Sequence, residues 1–215
     1  MRALVVVAHP NSGSFSHAVA NQIGKGIEDA GSEHSFELAD LSEEGFDPRF
    51  NQDDIAAFEM RSPFPDDVLA EQKRIDAADT LVLVFPIYWW SMPAILKGWI
   101  DRVFSNGWAY EDIDGEKVIK KLNHLKVHLV AIGGAGLGTF ARHGYFGAMK
   151  LQIHQGIFDY CGGEVATSEL MLLADGNDPA EHLKKARNIG AAIPAKVIRP
   201  ELEMAGEISA DRHQK

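Results

Sequence analysis

Apolar and polar positions follow two periods along this chain, and the switches between them mark the elements. ALVVVA (3–8) is β-branched and unbroken, as a strand buried on both faces should be. Residues 16–30 change to helical spacing, with Val19, Ile23, Ile27 and Ala30 on one stripe and Gly31 in place for a C-cap. HSFELAD (34–40) alternates Phe36 with Leu38 and predicts a second strand. A long polar connection, 41–65, contains FDPRFN and SPFPDD; a passage of this length is usually functional or an insertion. A helix then starts near Asp66 as N-cap and carries VLAEQKRIDAA. TLVLVF (80–85) is a third, buried strand. Residues 93–104 form the next helix, with Pro93 in its first turn and Ile95, Leu96, Trp99 and Val103 on its apolar face. KVHLVAI (126–132) is the fourth strand, followed by a glycine-rich loop. A helix over 146–162 ends at Gly162-Gly163, EVATSELMLL (164–173) is the fifth strand, and 179–197 the last helix, after Asn177-Asp178-Pro179.

Strands alternating with helices predict a parallel sheet with right-handed crossovers, an α/β three-layer sandwich. Residues 1–199 make one domain, and 200–215 a polar tail that is loose or packed on a partner. The strand order is not legible from spacing alone. Ligands of open sheets of this type bind at the carboxyl ends of the strands, near a switch point. That rule singles out three loops: 9–16, 86–92 and 133–145.

Composition narrows the picture. The 215-residue chain is 46% hydrophobic, enough for one sizeable core. Its net charge of −10 disfavours a nucleic-acid or anionic-membrane footprint. Cys161 is the only cysteine, so no intrachain disulfide forms and a reducing compartment is expected. No signal-like start and no apolar run of about 20 residues is seen, which predicts a soluble, cytoplasmic protein without membrane insertion.

The first loop, AHPNSGSFSHA, brings Ser12, Gly13, Ser14 and Ser16 to the start of a helix. Free backbone N–H groups and hydroxyls there suit a phosphate; a serine-capped helix with a turn glycine explains the same residues without a ligand. The spacing fits neither a P-loop nor GxGxxG. His9 is a phosphate donor or a satisfied structural group. The second loop ends a strand at Pro86 and continues Ile87-Tyr88-Trp89-Trp90, where a flat heteroaromatic ring could stack. If both tryptophans were core they would have to point the same way, yet neighbours in extended chain point oppositely. At least one indole is therefore expected outside the core. The third, IGGAGLGTFARHGYFG, holds glycines at 133, 134, 136, 138, 144 and 147, suited either to close approach of a ligand or to a mobile surface loop. Only His143 and Tyr145 in it suit proton traffic.

Other chemistry is disfavoured. His124 and His128 are four apart on a strand entrance, about 13 Å, too far for one zinc, and no other metal set is present. Cys161 lacks a CxxC partner and reads as a small buried residue. There is no GxSxG elbow, which disfavours a serine hydrolase.

Taken in order, AEQKRIDAAD, FPIYWW, PAILKGWIDRVF and WAY (108–110) resemble the NAD(P)H:quinone oxidoreductases, the DT-diaphorase-like family of the flavodoxin-like superfamily. AHPNSGSFSHA, the Gly133-Gly134 pair and QGIFDYCG (155–162) extend the resemblance over roughly 3–180. It implies a flavodoxin-like five-stranded parallel sheet in the order 2-1-3-4-5, a homodimer and a tightly bound flavin. FAD is favoured because 105–118 resembles the family's long form; FMN, bound by shorter relatives, is the alternative. By the resemblance, His9, Ser14, Phe15, Ser16 and Ala18 hold the phosphate and ribityl end. Pro86, Ile87, Trp89 and Trp90 line the isoalloxazine, with Gly133 and Gly134 approaching it. Trp90, with Trp108 and Tyr110 reaching toward the partner subunit's pocket, meets the substrate. The family's Tyr and His in the third loop have no direct counterparts: that segment is one residue longer, the nearest positions are Thr139 or Phe140 and Phe146, and His143 and Tyr145 are the side chains left to replace the pair.

The resemblance implies ping-pong hydride transfer, in which NAD(P)H reduces the flavin and a quinone or similar small-molecule acceptor then takes two electrons in the same slot. Amides near 87–90 would stabilise negative charge on the reduced ring. Two other functions are open: a flavin-binding regulatory subunit of a potassium efflux system, and a one-electron flavodoxin-type carrier.

Overall fold

A computed structural model describes residues 1–113, 115–174 and 178–197. The elements run β1 (Arg2–Val7), α1 (Phe15–Asp29), β2 (Ser35–Asp40), α2 (Gln52–Phe58), α3 (Asp66–Asp76), β3 (Thr80–Pro86), α4 (Ala94–Val103), β4 (Tyr110–Glu111), β5 (Ile119–Lys120), β6 (Lys126–Gly133), α5 (Leu137–His143), α6 (Tyr145–Met149), a π-helix (Lys150–Asp159), β7 (Glu164–Leu172) and α7 (Pro179–Val197). Five strands form a parallel sheet in the order β2-β1-β3-β6-β7. Counting only the sheet strands, this is the expected 2-1-3-4-5 flavodoxin-like order. Strands β4 and β5 make a separate antiparallel ribbon, absent from the sequence reading because two-residue strands leave no periodic signal.

Alternation along the central strands divides the core in two. Leu4, Val6, Leu81, Leu83, Phe85, Val127 and Leu129 face one layer, closed by Trp99 of α4 and Phe158 of the π-helix. Val5, Val7, Val82, Val84 and Val130 face the other, closed by Ile23 and Ile27 of α1 and Ile193 of α7. Every residue of β3 is buried. On the second face α1 and α7 approach so closely that a Cβ on Gly26 would run into the Arg187 carbonyl, and one on Gly190 into that of Ile23.

Several boundaries differ from expectation. Asp66 is the first residue of α3 rather than its cap; Pro65 precedes it and no side chain caps the helix. Likewise Pro93 is the N-cap of α4, not part of its first turn. Gly31 is not left-handed: α1 ends on Ala30 in a right-handed conformation. The 41–65 connection contains α2, started by a capping box in which Asn51 and Asp54 exchange side-chain and backbone bonds. The predicted 146–162 helix begins one residue earlier and widens into ten residues of π-helix. Asn177 and the 200–215 tail lie outside the described residues.

The polar connection is fixed by one buried cation. Arg102, 3% exposed, donates Nε to Asp54 (3.0 Å), Nη1 to Asp67 (2.5 Å) and Nη1 to the Asp47 carbonyl (2.8 Å). A buried guanidinium is tolerated only when its donors are met, and these acceptors tie the connection, α2 and α3 to α4. Nearby, Glu71 accepts from Trp99 Nε1 (2.8 Å) and Arg74 (2.8 Å), and Gln72 donates to the Val103 carbonyl (3.0 Å). Cys161 is buried, which pushes its thiol up to about 11 and leaves it unsuited to nucleophilic work. Among the described residues no helix is long and apolar enough to cross a membrane.

His128 of β6 is fully buried on the α1/α7 face, its Nδ1 2.9 Å from Thr167 Oγ1 and its Nε2 without a partner. Burial, reinforced by Lys196 and Lys126, lowers its pKa from 6.5 to about 4. Between those values the unfolded chain binds a proton that the folded chain refuses, so stability is complete above about pH 6.5 and falls as pH drops toward about 4. The slope approaches about 1.4 kcal/mol per pH unit and the total about 3 kcal/mol. His128→Leu is expected to flatten this acid limb, measured as urea midpoints across the same range.

Candidate active site

The carboxyl ends of β1, β3 and β6 lie side by side because the three strands pair in parallel, Val7 beside Val84 and Pro86 beside Ile132. Each of the three singled-out loops therefore leaves the same edge of the sheet.

After Pro86, which is buried, the Ile87 amide donates to the Ile132 carbonyl (2.8 Å), anchoring the second loop to β6. The chain then reverses at once. Tyr88 and Ser91 exchange both backbone hydrogen bonds at 3.1 Å, and Trp89 and Trp90 between them have φ of 49° and 64°. Two left-handed central residues define a type I′ turn, where glycine and asparagine are usual. For a bulky residue that conformation costs about 1–2 kcal/mol each. The tryptophans thus diverge through a tight turn, not through alternation in extended chain. Trp89 is 94% exposed, while Trp90 is half-buried, stacked on Tyr145 (centroids 3.8 Å, planes 11° apart) and edge-on to Phe140 at 5.4 Å. Of the amides expected to face a ligand, those of Ile87 and Tyr88 are engaged within the fold. Among the described residues, no backbone hydrogen bond engages those of Trp89 and Trp90.

The third loop is mostly helical. Gly133 ends β6 where a Cβ would come within 2.8 Å of Leu172 and 3.4 Å of Phe140, and around a Cβ on Gly134 the space is open. Ile87, Trp89, Trp90, Gly133, Gly134, Ala135 and Phe140 line a cavity of about 240 Å³. Helix α5 turns into α6 through left-handed Gly144. That turn sets Tyr145 against Trp90, with the exposed His143 ring beyond it, 5.2 Å from Tyr145. Phe140 is core, Thr139 half-buried and Phe146 exposed.

In the first loop Ser14 is the N-cap of α1, its Oγ accepting from the His17 N–H at 3.3 Å. The His9 ring accepts from the Asn11 amide through Nδ1 (3.0 Å) and borders a cavity of about 250 Å³ with Pro10, Ser12, Asp40, Ser42 and Glu43. Phe15 packs into the α1/α7 core beside His182, and Ser16 is buried. What these two offer outward is the backbone N–H of a first helical turn, as Ala18 already donates to the Ser14 carbonyl (3.2 Å). Two residues of this corner escaped the sequence reading. His17 and Asp40 are buried and joined Nε2 to Oδ2 at 2.6 Å, with Ser14 Oγ 2.8 Å from His17 Nδ1. The serine-to-histidine spacing of three at a helix start, and an aspartate closing β2, were the available signals.

Trp108 and Tyr110 stand apart from these loops. Trp108 Nε1 donates to Asp76 (3.1 Å) and its ring meets Phe104 edge-on at 5.8 Å; Tyr110 packs edge-on against Tyr160 at 5.2 Å. Tyr110 also lines a separate cavity with Phe50, Phe58, Phe64 and Arg102. Within one chain, neither reaches the Trp90 cleft's lining.

A ring-sized cleft walled by tryptophan, glycines and free amides, beside a helix start, belongs with the nucleotide-binding open sheets. The model of a family described as having the flavodoxin-like fold matches residues 1–192. The chain is 34% identical over 171 residues to an uncharacterized NAD(P)H oxidoreductase of Haemophilus influenzae, covering 79% of this chain and 83% of that one. It is 30% identical over 189 residues to NAD(P)H dehydrogenase [quinone] 1 of Rattus norvegicus, covering 79% and 68%. Among solved structures, the NAD(P)H:quinone oxidoreductase from Methanothermobacter marburgensis superposes with a TM-score of 0.79 at 27% identity, covering 90% of this chain and 98% of that one. The chain belongs to the NAD(P)H:quinone oxidoreductase family of the flavodoxin-like fold.

The strained turn yields a separable expectation. Trp89→Gly removes an exposed side chain and relieves a left-handed residue, so stability, followed by thermal unfolding, should hold or rise by up to about 1 kcal/mol. A fall of that size would mean that the exposed indole supports the fold.

Proposed function

We propose that the protein is a flavin-dependent oxidoreductase that moves two electrons from NAD(P)H to a quinone or similar electrophilic acceptor by a ping-pong route. The observation that carries this reading is the Trp89-Trp90 turn facing Gly133 and Gly134 across a cleft of about 240 Å³. The residues fit a flavin: Gly133 stands where a Cβ would crowd the cleft wall, Gly134 opens onto clear space, and two adjacent amides have no backbone partner among the described residues. A flavin bound there supplies the redox chemistry.

The chain's own groups do the rest. The Trp89 and Trp90 backbone N–H groups would donate to a flavin held there and favour its reduced, more negative form. Trp90 supplies the stacking face on which NAD(P)H and then the acceptor are oriented, a place that Tyr145 fills in this conformation. The Tyr145 hydroxyl and His143 imidazole are the groups near the ring face able to hold or move a proton. The first turn of α1 and the Ser14 side chain take the phosphate. FAD is favoured over FMN because the cavity beyond that turn leaves room for a second nucleotide half, with Glu43 available to ribose hydroxyls. A cytoplasmic homodimer completes the reading: Leu137, Phe146 and Leu151 are 64%, 49% and 61% exposed, apolar area that a second subunit would cover, and Trp108 and Tyr110 would face the partner's cleft.

The test is mass spectrometry of cofactor released from the purified protein, then steady-state kinetics with NADH, NADPH and an acceptor panel. FAD and parallel double-reciprocal lines are expected; a colourless protein that takes up no flavin overturns the reading. Trp90→Ala should lower kcat/KM for quinones by about tenfold or more while the flavin is retained.

A further inference from the structure

Two buried ionisable side chains beside the phosphate end of the cleft have no part in the chemistry above. His17 is 6% and Asp40 7% exposed, and their contacts limit where the hydrogens can lie. Asp40 Oδ1 accepts from the amides of Ser42 (3.1 Å) and Glu43 (3.2 Å), and Oδ2 faces His17 Nε2 at 2.6 Å. Against a carboxylate used as acceptor throughout, Nε2 carries a hydrogen. The other ring nitrogen, Nδ1, then decides what Ser14 can do, at 2.8 Å from its Oγ.

Two arrangements exist. With Nδ1 bare, the single Ser14 hydrogen points at the imidazole, and the hydroxyl offers a phosphate only lone pairs. With Nδ1 protonated, Ser14 Oγ accepts from the ring as well as from the His17 N–H, and its hydrogen is released toward the cleft. A phosphate oxygen selects the second arrangement, with the proton drawn from solvent.

We propose that Asp40 and His17 are positioning residues that turn the Ser14 hydroxyl toward the phosphate of the flavin, and that flavin binding takes up one proton at His17. The inference rests on the flavin reading and deepens it. The setting favours it: the cavity adjoining that corner is lined by no lysine or arginine, so no fixed cation from that side meets the phosphate. Around the His17 ring stand His9 from the end of β1, with centroids 6.3 Å apart, and Asp40 from β2; Glu43, whose amide donates to Asp40, lines the adjoining cavity. On its own helix are Ser14 and Asn21, whose Nδ2 donates to the His17 carbonyl (2.9 Å). From α7, His182 meets Phe15 rather than His17.

The test follows flavin retained by the full-chain holoprotein on dilution, read by the fluorescence of released flavin, from about pH 6 to about pH 8.5. FAD is the probe and riboflavin, which lacks the phosphate, the control. For the wild-type chain the Kd of FAD should rise with pH, by up to about tenfold per unit, while that of riboflavin stays flat. Asp40→Asn should weaken FAD by about tenfold at the acid end and abolish the slope. Ser14→Ala should lose the slope too, and the double variant should be no weaker than Asp40→Asn alone, since both act on one hydroxyl. Should Asp40→Asn fail to fold by its thermal transition, Ser14→Ala still decides the matter. A slope that persists in Ser14→Ala, appears equally with riboflavin or is absent from the wild type overturns the inference while leaving the flavin reading intact. A chain that holds no flavin at any pH overturns the flavin reading itself.

Discussion

The burial of β1, β3 and β6 on both faces is the constraint from which the rest follows. Strands that are apolar all round cannot leave a face to water, so helices must cover both sides, and parallel pairing with helical crossovers supplies them. In β3 this is complete from Thr80 to Pro86. The same pairing sends every carboxyl end to one edge, where the chain must turn from strand to helix and cannot close its own hydrogen bonds. Among the described residues, the amides of Trp89, Trp90, Phe15 and Ser16 are left without a backbone partner there as a consequence of topology.

At that edge the fold holds strain where it is useful. Two adjacent tryptophans in left-handed conformation are unfavourable locally and persist because their flanks are fixed, Ile87 by β6 and Tyr88 by Ser91. Tryptophan where glycine would be relaxed gives the cleft a broad apolar wall and two outward N–H groups at once. Across from it the glycines at 133 and 134 supply the opposite property, backbone without side chain. The phosphate corner is organised differently: an acidic chain of net charge −10 places a helix start, serines and a buried histidine–aspartate pair there, with no lysine or arginine in the adjoining cavity.

Much of this was legible. The strand runs 3–8, 80–85 and 126–132 declared themselves because a strand buried on both faces carries a near-continuous apolar signal, and all three contribute to the central sheet. The grouping of Ile87, Trp89, Trp90, Gly133 and Gly134 was expected and is found around one cavity. Less visible were α2, whose seven residues are too short to show a period, and β4 and β5, which are shorter still. The AEQKRIDAAD block carried part of the resemblance without a role of its own; in the fold Glu71, Gln72 and Arg74 hold α3 to α4 and to the polar connection.

What the sequence determined by itself was the alternation of strands and helices, hence the layers, and which loops share the carboxyl edge, because periodicity and chain direction are local properties. The tertiary structure alone decided three things that depend on residues distant in sequence. One is the left-handed turn that parts Trp89 from Trp90, imposed by where β3 and β6 end. Another is the stacking of Tyr145 on Trp90, 55 positions away, set by the bend at Gly144. The last is the Ser14–His17–Asp40 chain, which exists only because β2 lies against β1 and brings an aspartate from the next strand under the first helix.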